Sequence, residues 1–178
     1  MPASEKASLH DRENVLNPWV TLVASNCSNS DDEPPYFHLK VPDYVCAIAL
    51  TKDGKVPLVR QFRIPARTDT LELPGGLVDP GDSPLQSIFQ ELKEEVGAFA
   101  MGSTKKLPEL MVDTGRIENS LHAFVIYDFQ ADFDYGIEEG IENLWVSIPE
   151  LVHLAVRGEI QHSGHVASIL IARSLGYI

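Results

Sequence analysis

The sequence predicts an α/β sandwich of mixed sheets, with helices on both sides and a β-hairpin region at the N-terminus. Three observations carry this. Short apolar or alternating stretches recur from residue 19 to residue 147 with the period of strands. A single well-capped amphipathic helix at residues 83–97 interrupts them, and two further helical stretches follow. Strands that precede, interrupt and follow a helix belong to layered α/β architectures.

Residues 1–17 mix Ser, Glu, Lys, Asp and Asn without periodicity and are expected to form a loose arm. Residues 19–24 predict a strand, and residues 36–41 alternate as a second strand that pairs with it as a hairpin. Residues 44–51 are a near-continuous apolar run, hence a buried strand, in which Cys46 is a small core residue. Asp53-Gly54 is a hairpin signal, with residues 56–62 as the partner strand. Residues 70–73 predict a short strand that enters the loop Leu73-Pro74-Gly75-Gly76.

After the helix, residues 107–113 predict a strand, 114–120 a loop and 121–129 a long strand. Residues 132–140 are acidic and Gly-bearing, hence a loop. A strand at 144–147, a helix opened by Pro149 and a last helix at 163–175 complete the chain. His162 and His165 sit where surface histidines are common, and without a third partner they do not make a zinc site.

The helix carries the chemistry. Ser83 is a good N-cap, Pro84 suits the first turn, Gln86 completes an S-x-x-Q capping box, and Gly97 stands just past the end. Leu85, Ile88, Phe89, Leu92 and Val96 share one face, and Glu91, Glu94 and Glu95 crowd an adjoining one. Like charges three and four positions apart repel. A divalent cation turns that repulsion into attraction, and carboxylate oxygens are the ligands Mg²⁺ or Mn²⁺ takes. A solvated acidic helix would show the same run. The preceding Gly75-Gly76 favours a metal, because glycines let backbone carbonyls approach the acids. An EF-hand loop is excluded, since Gly81 stands two residues after Asp79, where an oxygen ligand is required.

Composition sets the bounds. The chain has 178 residues, 44% of them hydrophobic, enough for one sizeable core. Lys plus Arg total 14 and Asp plus Glu 26, a net charge of −12 that argues against a nucleic-acid groove. Two cysteines are too few for a disulfide framework, and no apolar run reaches the ~20 residues of a membrane span. A soluble, cytoplasmic protein is expected. Six of the cationic side chains fall within residues 40–67, whereas residues 68–99 hold seven acids and only Lys93. A basic strand feeding an acidic loop and helix suits a phosphate held between arginine and metal, with Arg63 and Arg60 as candidates. Simple balance of the acids explains Arg60 equally well.

The stretch from Gly76 to Ala98, the box, resembles that of the Nudix hydrolases, whose pattern is G-x5-E-x7-R-E-U-x-E-E-x-G-U with U apolar. Gly76, Glu91, Leu92, Glu94, Glu95, Gly97 and Ala98 match it, while Asp82 replaces the first Glu and Gln90 the Arg. The resemblance covers about residues 44–157 and implies the Nudix α/β/α sandwich. Gln61-Phe62-Arg63 ahead of L-E-L-P-G-G is similar to the ADP-ribose pyrophosphatase branch. That similarity implies Glu91, Glu95 and Glu94 as metal ligands with the Gly75 carbonyl, and Arg63 on the substrate. It also implies a general base either among the box glutamates, where Glu94 is the candidate, or in a later loop, where Glu139 is favoured over Glu138 and Glu142. Trp19 resembles the aromatic that stacks on the nucleobase, and a core or interface tryptophan is its alternative.

Residues 1–41 are then an arm and hairpin that dimerise, and residues 42–178 the hydrolase domain. The implied substrate is ADP-ribose or a related nucleoside diphosphate sugar, and the implied assembly a homodimer. The alternatives are another nucleoside diphosphate derivative (GDP-mannose, a dinucleotide, an oxidised nucleotide) and a catalytically silent binding module. Asp82 and Gln90 are expected to be joined by a neutral-donor hydrogen bond in place of an ion pair.

Overall fold

The computed structural model describes residues 10–26, 34–132 and 138–178. Its strands in chain order are β1 (His10–Asn17), β2 (Val20–Asn26), β3 (Tyr36–Lys40), β4 (Tyr44–Thr51), β5 (Lys55–Arg63), β6 (Thr68–Glu72) and β7 (Gly75–Leu77). Helix α1 (Pro84–Val96) comes next, then β8 (Ala98–Ala100), β9 (Thr104–Lys106), β10 (Ile117–Glu118), β11 (Leu121–Ala131) and β12 (Glu142–Ser147). Helices α2 (Ile148–Val156) and α3 (Ser163–Ser174) close the described chain. It divides into two units, one formed by the described part of residues 1–42 with 111–119, the other by 43–110 with 120–178.

The first unit is a four-stranded sheet in the order β1-β2-β3-β10. The expected hairpin is present: β2 and β3 pair antiparallel from Thr21↔Lys40 to Ser25↔Tyr36. Residues 10–17 correct the loose-arm expectation. They pair antiparallel with β2 as β1, although the side chains of residues 11–17 are all exposed and show no core pattern. Backbone pairing supplies the order that the side chains do not signal. Residues 1–9 and Cys27 lie outside the described residues.

In the second unit β7-β4-β11-β8 form one sheet, with β9 also on β11, and β12-β5-β6 another. At the centre β4 and β11 run parallel, in register from Leu121↔Tyr44 to Ile126↔Ala49, with a shift before Phe129↔Thr51. Both faces of β4 are covered. Val45, Ala47 and Ala49 share a core with Ile88, Leu92 and Val96 of α1. On the opposite face the Cys46 thiol lies 4.0 Å from the Ser168 hydroxyl of α3. This is an α/β sandwich, as the sequence predicts.

Two strand expectations need correction. Asp53-Gly54 does turn the chain, with Gly54 at φ 76°, but β4 and β5 then enter different sheets and do not form a hairpin. Both ladder sides of β4 are occupied by β7 and β11. Residues 107–113 form only an isolated bridge, Leu110↔Leu121, and Pro108 has no N–H to give a ladder.

Helix α1 follows its sequence signals. The Ser83–Gln86 capping box is formed, and Gly97 ends the helix at φ 68°. Leu85, expected on the apolar face, is 39% exposed.

Candidate active site

Gly75 and Gly76 position the acids. As β7 they pair with β4, Cys46 opposite Gly75 and Val45 opposite Gly76. A Cβ at Gly75 would stand 2.0 Å from the Val45 carbonyl, so only glycine admits this approach. The Gly75 N–H donates to Glu95 Oε2 at 2.8 Å, and the Gly75 carbonyl accepts from the Tyr44 hydroxyl at 3.2 Å. A Cβ at Gly76 would fall 2.0 Å from Glu91 Oε1, so the Glu91 carboxylate lies directly over that backbone.

Glu95 is 3% exposed and Glu91 half-buried. Burial, joined by repulsion from Glu94 and Glu138, pushes the Glu91 carboxyl up to about 7. Burial pushes Glu95 up to about 8; the Gly75 N–H offsets part of this, while Glu91 and Glu138 add to it. Arg63 is the cation that eases both, but its Nε and Nη2 bind Glu72 at 2.9 and 2.8 Å. The acids therefore carry more negative charge than their surroundings balance. Carboxylate and carbonyl oxygens in such excess are the donor set of a hard divalent cation, which the residues present fit. Among the described residues no three His, Cys, Asp or Glu side chains already converge on one point.

The other candidates separate. Glu94 is exposed and accepts from Gln90 Nε2 at 2.8 Å. That bond corrects the expected Asp82–Gln90 link: Asp82 is exposed, and Gln90 is spent one turn along its own helix. The Glu138 N–H donates to the Glu94 carbonyl at 3.0 Å, which ties the later loop to α1. Glu139 is exposed in the adjoining turn, and Glu142 lies 3.6 Å from Arg60, its cross-strand partner. Trp19 is 59% exposed in the first unit.

Sequence reasoning missed a buried polar wall. Glu72 is 3% exposed, accepts from Arg63 and from the Thr70 hydroxyl at 2.6 Å, and is held down at about 2 by these partners against its burial. His162 and His165 correct the surface expectation, for His165 is fully buried and His162 partly so. His165 Nδ1 accepts from the Leu73 N–H at 3.1 Å, which puts the proton on Nε2. Its ring stacks 4.0 Å from His162 and 5.8 Å from Tyr44. The H-x-x-H spacing at a helix start was the available signal, since it stacks two rings on one face. Tyr44, Arg63, Ala66, Glu72, Gln161 and His162 border a cavity of about 370 Å³.

Comparison with known proteins points to one family. A family model described as NUDIX domain matches residues 40–166. An ADP-ribose pyrophosphatase of Bacillus subtilis is 26% identical over 125 residues, 68% of this chain and 67% of that protein. One of Mycobacterium tuberculosis is 27% identical over 143 residues, 74% of this chain and 65% of that protein. The chain thus spans about two thirds of the length of these relatives. A crystal structure of an ADP compounds hydrolase superposes with a TM-score of 0.79 at 18% identity, covering 98% of this chain and 96% of that one.

Proposed function

This chain belongs to the NUDIX domain family of hydrolases, and from that premise we propose a metal-dependent pyrophosphohydrolase acting on ADP-ribose or a related nucleoside diphosphate sugar. The observation that carries the reading is the buried, under-neutralised pair Glu91 and Glu95, set against the backbone of Gly75 and Gly76. Glu91, Glu95, Glu94 and the Gly75 carbonyl are the residues that would hold Mg²⁺ or Mn²⁺. When bound, such an ion supplies neutralisation of phosphate oxygens and acidification of water.

The chain's own residues orient and move the proton. The Gly75 N–H fixes the Glu95 carboxylate before substrate arrives, so no reorganisation is needed there. Glu138 is the best-placed general base, because its loop is tied to Glu94 and its charge reaches both box acids. Glu139, which the sequence favours, is its nearest competitor. Water oxygen bonds to one phosphorus as the bridging P–O bond breaks, and the leaving phosphate takes the bridging oxygen. The products are a nucleoside monophosphate and a sugar phosphate.

The first unit is proposed as a homodimer interface. Val15, Leu16, Trp19, Tyr36 and Phe37 are each more than half exposed on its strands and turn, more apolar surface than a small sheet leaves uncovered. A purely monomeric sedimentation profile at micromolar concentration would remove this interface. No helix among the described residues is long and apolar enough to cross a membrane, and a nucleotide-sugar substrate suits the cytoplasm.

Mass spectrometry of products from a nucleoside diphosphate panel, with Mg²⁺ or Mn²⁺ and with chelator, tests the activity. AMP and ribose 5-phosphate from ADP-ribose, abolished by chelator and by Glu95→Gln, are expected. Metal-independent turnover, or wild-type turnover by both Glu91→Gln and Glu95→Gln, refutes it.

A further inference from the structure

We propose that the cavity bordered by Tyr44, Arg63, Ala66, Glu72, Gln161 and His162 receives the sugar ring of the non-nucleoside half of the substrate, an assignment that rests on the pyrophosphohydrolase reading. The cavity adjoins the acids. Tyr44 forms its wall and donates to the Gly75 carbonyl, while the N–H of the same glycine holds Glu95. A diphosphate placed at Glu91 and Glu95 therefore sends one of its two ends toward this space.

The chemistry of the wall selects which end. At about 370 Å³ the cavity is near the small limit of ligand sites, which run roughly 300–1,000 Å³. It carries no free charge for a second phosphate, because Arg63 and Glu72 neutralise each other through two parallel hydrogen bonds. Glu72 is also saturated by Thr70. What remains is directional and neutral in sum. Arg63 Nη1 and the Gln161 amide have no partner among the described residues, and His162 is kept uncharged by burial. Ala66 and Pro65 add apolar surface. A nucleobase would want an open aromatic face, and one side of the Tyr44 ring is already taken by His162 and His165, which stack on each other. Separated donors and acceptors around a small apolar floor match a hydroxylated ring.

Two substrates with the same scissile diphosphate provide the test: ADP-ribose and the methyl ester of ADP, which lacks the sugar. Gln161→Ala should lower the kcat/KM ratio of the first over the second roughly three- to tenfold, the worth of one polar contact. Ala66→Trp, which fills the cavity from an exposed position, should lower it further. An unchanged ratio in both variants overturns the assignment. Saturation-transfer NMR with ADP-ribose reads binding without turnover. Terminal-ribose protons that lose saturation in Ala66→Trp support the cavity even if neither compound is cleaved, in which case it is the pyrophosphohydrolase reading that fails. A loss confined to the adenine protons makes the cavity a base site and refutes the sugar.

Discussion

His165→Gln should remove a large part of the protein's acid sensitivity while lowering its stability at neutral pH. In the folded protein burial, reinforced by repulsion from His162, pushes this imidazole down to about 3 from an ordinary 6.5. Protonation would also cost the Leu73 N–H its acceptor, since Nδ1 would become a donor. A base whose folded pKa is depressed stays neutral in the native state and protonates on unfolding. Its contribution is therefore fully present above pH 6.5 and drains away as the pH falls toward 3. Two pH units below 6.5, at about 1.4 kcal/mol per unit, the wild type should lose about 3 kcal/mol through this group alone. That is a large share of the 5–15 kcal/mol typical of a domain. Glutamine can still accept from Leu73 but does not titrate, so the variant should start lower and fall less. Urea unfolding at pH 7.5, 6.5, 5.5 and 4.5, with m-values checked for constancy, gives both curves. Parallel loss of stability by wild type and variant between pH 6.5 and 4.5 would refute the buried, neutral assignment.

Arg63→Ala should destabilise by roughly 3–5 kcal/mol in urea unfolding, because it strands a buried carboxylate. Adding Glu72→Gln should restore much of that, and simple additivity of the two changes would count against the pair. The carboxyl of Glu72 has its folded pKa depressed to about 2, so its contribution is full above about 4.5 and drains away only as the pH falls toward 2, in a window that overlaps the lower end of the His165 one. Gly76→Ala should cut turnover at least tenfold while changing the melting temperature little, since the new Cβ displaces the flexible end of Glu91 and not backbone. Wild-type turnover in Gly76→Ala would show that the position of Glu91 does not matter.

Local signals were the legible ones. The cap residues of α1 and the apolar run of β4 each depend on neighbours within one or two turns, and each is found as the sequence predicts. Partnerships formed across the fold were not legible. Leu73 and His165 are 92 positions apart, and nothing near either residue marks the bond between them. Arg63 carried a signal, but its commitment to Glu72 depends on how β5 and β6 align. The turn at Asp53-Gly54 was a correct local reading. Which sheet β5 then joined was decided by β7 and β11, distant strands that fill both sides of β4.

The two departures from the box acquire a physical meaning in this light. The helix is held by its capping box, by Gly97 and by Ile88, Leu92 and Val96 in the core, none of which involves position 82 or 90. Glu95 is held by a backbone N–H, which no substitution at position 82 or 90 removes. Gln90 therefore bears little on the framework and acts on Glu94, which it steadies from one turn away. An arginine there would bring a full positive charge to that carboxylate and offset part of the repulsion within the acid cluster. The neutral amide orients Glu94 yet leaves its charge intact, which on the proposed metal assignment preserves the attraction of the acids for a divalent cation. Gln90 thus gives Glu94 a neutral hydrogen bond and leaves untouched the contacts that hold Glu95 and α1.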